Sequence, residues 1–267
     1  MMSYFLNNKK QGIERQNRMK KNKQDWREIA GSQRDAIQSM SKAMRSISDA
    51  CNELITNCDD SYEVLNKPNV NYQGDVLISY RRGGKKIPTI FSIRDKASGM
   101  TSNKIIDILS SHGNKRKNIE ASRAFFGRGL IDISFLGTVD IHSIKDGHYC
   151  HAQIKHQALS WKFIEENVSV TKKHKDLIGT KKHGTRIDLT IPLDAPSTSN
   201  PLAKHLADNI PLHYSLRNIL NSERGEYKGT LKLKFFNENE KESNILNYVS
   251  PKAEHIVKNQ KIILKPK

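Results

Sequence analysis

From position 35 onward the apolar residues Ile37, Met40, Met44, Ile47, Cys51, Leu54, Ile55 and Cys58 recur at spacings of three, four and seven. That period lines them along one stripe of an α-helix and predicts a single helix from about residue 35 to about residue 66. Pro68 then disfavours its continuation. The polar side of the same helix carries Glu53, Asn57 and Asp60, the first two one turn apart and the third three positions further on. A carboxylate, an amide oxygen and a second carboxylate in one patch are residue types that hold a hydrated magnesium ion and activate a water beside it.

Beyond the helix the period shortens to two. Residues 76–80 and 88–93 read as strands joined by a basic tip, where Gly83 and Gly84 are expected to supply the positive φ of a tight hairpin. The second strand runs into Asp95, Gly99 and Met100, and a short helix is expected at 103–109. Residues 110–124 are polar, basic and weakly periodic, the pattern of a loop. Gly127, Arg128, Gly129 and Leu130 then open a short helix. Strands are expected near 138–144, 149–154, 160–168 and 185–191. Residues 192–201 are rich in Pro, Ser and Thr and read as a domain boundary. After it come a helix at 202–221 and strands at 230–236 and 261–264. The chain has no internal repeat and no long low-complexity segment.

Composition adds a partner to this outline. The 267 residues have room for one dominant core, and a formal net charge of +17 points to an anionic macromolecule, nucleic acid before membrane. A second source for the charge is the richness in Lys, Asn and Ile along the whole chain, as in a proteome biased that way. The charge is dense over residues 7–32, which read as a basic arm on which Trp26 and Ile29 offer a little apolar surface. Three cysteines, Cys51, Cys58 and Cys150, make no even-numbered framework and fit a reducing compartment. With no run of bilayer-spanning length and no signal-peptide order at the start, a soluble cytoplasmic protein without a membrane partner is expected.

Taken singly, the chemical signals are weak. Glu53 with Asn57 describes a solvated helix stripe, Asp95 before a glycine describes a turn, and Gly127 with Gly129 describes a loop. Gly179 and Gly184 have P-loop spacing without the lysine after the second glycine. His148, Cys150 and His151 lie close in sequence, but strand alternation sets His151 opposite the other two, and no second ligand pair stands at zinc spacing. Arg81, Arg82, Lys85 and Lys86 fit a solvated hairpin tip.

Taken in order, the helix with Glu53, Asn57 and Asp60, the strand end at Asp95 with Gly99 and Met100, the Gly127–Gly129 segment with Arg128 and Leu130, and Gly184-Thr185 at the head of a strand form a set. That set resembles the GHKL ATPases, the superfamily of gyrase B subunits, heat-shock-90 chaperones, histidine kinases and MutL. It is closest in character to the MORC-like and gyrase-like branches, where a glutamate precedes the asparagine by four. The absence of any histidine before His112 speaks against a sensor kinase.

The resemblance implies a fold and a division of labour. The fold would be α+β, a two-layer Bergerat sandwich with a mixed, mostly antiparallel sheet covered by helices on one face, plus a short helix-and-strand extension. Residues 1–34 would be the arm, 35–196 the ATP-binding domain, and 197–267 the extension or the start of a transducer-like domain. Glu53 would be the general base, Asn57 the magnesium ligand, Asp95 the acceptor for the adenine amino group with Thr185 in support, and Gly127 and Gly129 the phosphate-facing glycines. Asp60, Gly99, Met100, Arg128 and Leu130 would complete the nucleotide site. ATP and Mg2+ are the implied ligands, and an ATP-dependent homodimer acting on nucleic acid, DNA foremost, is the implied assembly. A further subunit or C-terminal domain would supply what is missing, with Lys258 or Lys261 as candidate γ-phosphate lysines. One departure stands out: the aspartate motif usually continues with two glycines, and Ala97 occupies the first place. The competing reading is a non-catalytic nucleotide-sensing or scaffold subunit, or a chaperone-like or partner-kinase relative.

Overall fold

The computed structural model describes residues 25–66, 73–110, 128–195, 200–217, 219–220 and 230–249. Among the described residues nine strands make one sheet: β1 (Arg27–Glu28), β2 (Gln73–Arg81), β3 (Thr89–Asp95), β4 (Thr138–Lys145), β5 (His148–Ile154), β6 (Ser160–Ser169), β7 (Gly184–Ile191), β8 (Thr230–Asn237) and β9 (Glu242–Leu246). Their order is β1-β6-β5-β4-β7-β3-β2-β8-β9. Neighbours run antiparallel except β2 and β8, which are parallel. The helices are α1 (Gln33–Ala43), α2 (Ile47–Asn66), α3 (Ser102–Leu109), α4 (Gly129–Asp132), α5 (Lys172–Ile178) and α6 (Ala203–Asn209). The architecture is mixed α and β around a mostly antiparallel sheet, of the α+β kind.

The long helix expected from residue 35 is two helices. Met44 leaves helical backbone at φ −116°, ψ 93°, and α2 restarts behind a local cap. Ser46 Oγ accepts from the Asp49 N–H at 3.2 Å and donates to Asp49 Oδ2 at 2.9 Å, and the Arg45 N–H donates to the same carboxylate oxygen at 3.0 Å. A Ser and an acid three residues apart form a helix-start signature. The apolar period runs straight through it, because Met40, Met44 and Ile47 are all buried in the same core.

Alternation along each strand sorts the sheet into two faces. Val139 and Ile141 of β4, Ile187 and Leu189 of β7, Phe91 and Ile93 of β3, and Ile78 and Tyr80 of β2 enter the main core with α1 and α2. Ile144 faces the other way and forms a small second cluster with Tyr149 and Ile178 of α5. Helices are therefore not confined to one face, since α5 packs on the outer one. Its period is too short to see in the sequence, yet its ends are marked. Thr171 and His174 make a reciprocal capping box, and Gly179 closes the helix at φ +76°.

Three further expectations change in detail. Arg27 and Glu28 pair with Trp161 and Ser160 at the sheet edge, and Ile29 is buried, so residues from 25 onward belong to the packed unit. Neither Gly83 nor Gly84 takes positive φ; a β-carbon at Gly83 would instead meet the Pro88 carbonyl carbon at 2.6 Å. The helix expected over 202–221 stops at Asn209 and continues as 3-10 turns at Ile210–Leu212 and Tyr214–Leu216. Pro211, with no N–H to donate, accounts for that tightening.

After residues 192–201 the chain stays with the same sheet. β8 runs beside β2 in register from Gln73 with Thr230 to Tyr80 with Asn237, and β9, unmarked in the sequence pattern, pairs with β8. Residues 1–24, Pro68, most of the 110–124 segment, Gly127, and the 261–264 strand with Lys258 and Lys261 lie outside the described residues. Among the described residues no helix is long and apolar enough to cross a membrane.

Candidate functional site

A cavity of about 1250 Å3 lies between α2, the ends of β3 and β7, the loop after β3, and α4. Glu53, Asn57, Asp60, Asp95, Gly99, Met100, Arg128, Gly129, Leu130 and Thr185 all line it. Every described residue to which the resemblance assigns a nucleotide-site role thus reaches one concave site.

At one end sits Asp95, the last residue of β3 and 5% exposed. Strand register sets it beside Thr185 of β7. Its Oδ1 accepts the Ala97 N–H at 2.8 Å, and its Oδ2 faces the Cys58 thiol at 3.6 Å. Burial raises this carboxyl to about 6, while the Ala97 N–H, the Cys58 thiol and the Thr185 N–H pull the other way. A carboxylate so placed is a directed acceptor at the base of a pocket.

Ala97 settles into this arrangement without strain. It does not take positive φ, and its methyl group is fully buried in the main core. Gly99 is the position that requires glycine. Its φ is +62°, and a β-carbon there would overlap the Ile144 carbonyl oxygen and approach the Gly184 nitrogen to 3.3 Å. Next to it the Met100 N–H donates to Ser143 Oγ at 2.6 Å, tying the loop to β4.

At the other end stands Glu53. Leu54, Ile55, Cys51 and Cys58 bury one side of α2 in the core, which turns Glu53, Asn57 and Asp60 toward the cavity. Asn57 Nδ2 donates to Glu53 Oε1 at 3.5 Å. The Glu53 carboxyl is held above its ordinary value, mainly by burial; the Asn57 hydrogen bond lowers it, and the charges of Asp132 and Asp60 raise it further. With Nδ2 turned to Glu53, the Asn57 amide oxygen is the atom left to meet a cation.

Glycine at 129 lets α4 close against that carboxylate. Arg128, ahead of it, donates from Nη2 to Ser39 Oγ on α1 and approaches Asp132 Oδ2 with Nε at 3.7 Å. The helix in front of α2 is thereby fastened over the site. Residues missed from the sequence are Cys58, which orients Asp95, Asp132, which acts on Glu53, and Ser39, which anchors Arg128. Cys58 was legible only as a core position of α2, and Asp132 and Ser39 carry no local signal.

The other candidates disperse. His148 is exposed, Cys150 is buried in the core, and His151 Nε2 bonds Asp140 Oδ1 at 2.8 Å. All three cysteines are free. Among the described residues no group of three His, Cys, Asp or Glu side chains is placed to hold a metal ion.

Against known proteins, no family model matches the chain, and no curated protein matches its sequence.

Proposed function

We propose that the chain is an ATP-hydrolysing domain of the GHKL type, its sandwich the Bergerat fold of that superfamily. The observation that supports this most is the convergence on one cavity of Glu53 with Asn57 at one end and Asp95 with Thr185 at the other, residues from 53 to 185 joined only by the fold. Each end has one task. Asp95 accepts from an adenine amino group, and a guanine, which offers a carbonyl oxygen there, would leave this buried acceptor facing another acceptor. Ala97 N–H and the Cys58 thiol hold the carboxylate in that orientation.

At the far end Glu53 takes a proton from the water that attacks the γ-phosphorus, and the bond to the β–γ bridging oxygen breaks to release ADP and phosphate. Its raised affinity for protons brings it closer to the working pH of a general base. Asn57 would hold magnesium through its amide oxygen. Bound there, the ion would neutralise developing phosphate charge. Arg128 lies in the same glycine-flanked segment and offers a guanidinium to the phosphates. The formal charge of +17 supports a nucleic-acid partner. An ATP-gated homodimer rests on the family resemblance.

Magnesium-dependent phosphate release by the purified chain, with and without DNA and beside an ATP-binding measurement, tests the proposal. Release that is abolished in Glu53→Ala while ATP still binds supports it. Unchanged release by that variant would sink it.

A further inference from the structure

The outer face of the sheet carries a feature that the cavity does not use. Five of the eleven residues at 172–182 are lysines, Lys172, Lys173, Lys175, Lys181 and Lys182, against Asp176 alone. All five are exposed. They are not a floppy tail, because α5 is fixed at both ends and from beneath. Its capping box joins Thr171 and His174, the His174 ring stacks on Tyr149 at 3.9 Å and 11°, and Ile178 is buried with Ile144. Arg186 of β7 donates from Nη1 to the Leu177 carbonyl at 3.2 Å.

A rigid ridge of like charges repels itself, and the nearby acids do little to relieve it. Glu165 faces His174 at 3.9 Å, and Glu166 faces Arg27 at 3.8 Å. Such a ridge gains most from a partner with closely spaced negative charges. We infer that α5 and the turn at 179–183 form a contact surface for the phosphate backbone of nucleic acid. A membrane surface is the weaker match. Of the apolar residues of α5, Ile178 is buried against the sheet with Ile144 and Leu177 is half-buried, so the helix presents no exposed apolar side chain to insert among lipid tails. This inference rests on the nucleic-acid half of the proposed function and is independent of ATP hydrolysis.

The sheet lies between the ridge and the cavity, so the ridge can be altered alone. The full chain carrying Lys172→Gln, Lys173→Gln and Lys175→Gln keeps helix-forming side chains and is compared with Lys232→Gln, Lys234→Gln and Lys241→Gln. These three exposed lysines on β8 and the β8–β9 turn remove the same charge elsewhere. Binding to a short duplex DNA is followed across a salt series, with melting temperature and ATP binding measured alongside.

The ridge variant should lose about tenfold or more in affinity, and its log–log salt dependence should become shallower by about 2–3, near one per lost phosphate contact. The control variant should stay near wild type. Equal losses in both variants would reduce the effect to net charge and overturn the inference. Wild-type affinity in the ridge variant would overturn it as well. If the unaltered chain binds no DNA at low salt yet binds vesicles rich in phosphatidylserine, the nucleic-acid reading itself falls. ATP turnover would be untouched by that outcome.

Discussion

Gly129 and Glu53 stand so close that a β-carbon on Gly129 would overlap the Glu53 carboxylate and lie 2.6 Å from its Cγ. The glycine thus reserves the space in which the candidate base sits. In Gly129→Ala the obstacle is the end of a flexible side chain, so the carboxylate swings away and the fold persists. Hydrolysis should drop by roughly 10²-fold or more, approaching the loss of a general base, while the melting temperature shifts little. A variant with wild-type turnover would show that Glu53 has no fixed working position.

Glu53→Gln keeps the shape of the side chain and removes its basicity. ATP binding should remain within a few fold of wild type, with turnover down by about 10²–10⁴-fold. In the unaltered chain turnover should decline on acidification, because a base whose affinity for protons is raised is neutralised earlier than an ordinary glutamate. A turnover profile flat from neutrality down to the ordinary glutamate range would exclude Glu53 as the base.

Asp95→Asn should act with opposite signs on binding and on stability. Burial lifts the carboxyl from 3.8 to about 6, so the folded chain holds this proton more tightly than the unfolded chain. Stability from this group is therefore greatest at low pH, falls as pH rises from about 4 to about 6, and stays lower above that, by on the order of 3 kcal/mol. Neutral Asn escapes that loss. The nucleotide-free variant should melt higher than wild type at neutral pH and lack the decline between about pH 4 and 6. ATP binding should meanwhile weaken by about 1–3 kcal/mol, and in wild type it should weaken below pH of about 6. Calorimetric titration and thermal melts across pH read both effects.

Gly99→Ala tests the scaffold. Left-handed backbone at φ +62° and overlap with the Ile144 carbonyl leave a methyl group no place, and the carbonyl belongs to β4 rather than to a movable side chain. A loss of at least about 2 kcal/mol is expected. Ala97→Gly, where φ is not positive and the methyl is buried, should destabilise more mildly, by about 1 kcal/mol. Denaturant melts of the two variants rank them.

The sequence by itself carried the local periods. Period two located β2 to β8, and period 3.6 located the stripe of Met40, Cys51, Leu54 and Ile55 that turns Glu53 and Asn57 outward. It also carried the glycines whose conformation is local, although Gly83 shows that a glycine can be needed for clearance instead. Some signals were present but outvoted. Ser46 and Asp49 mark a helix start that the continuous apolar stripe conceals, and Thr171, His174 and Gly179 bracket a helix too short to establish a period.

Tertiary structure alone decided the rest. Strand pairing put Asp95 beside Thr185 across 90 positions of sequence, because register is set by which apolar faces meet, not by spacing along the chain. Packing of α2 on β3 brought Cys58 to Asp95, a contact invisible when Cys58 reads as one more core residue. The closure of α4 on α2 placed Asp132 near Glu53, and strand alternation sent α5 with its lysines to the opposite face. Local propensity is written residue by residue. The meeting of distant side chains depends on how whole faces bury together, so it exists only once the sheet is formed.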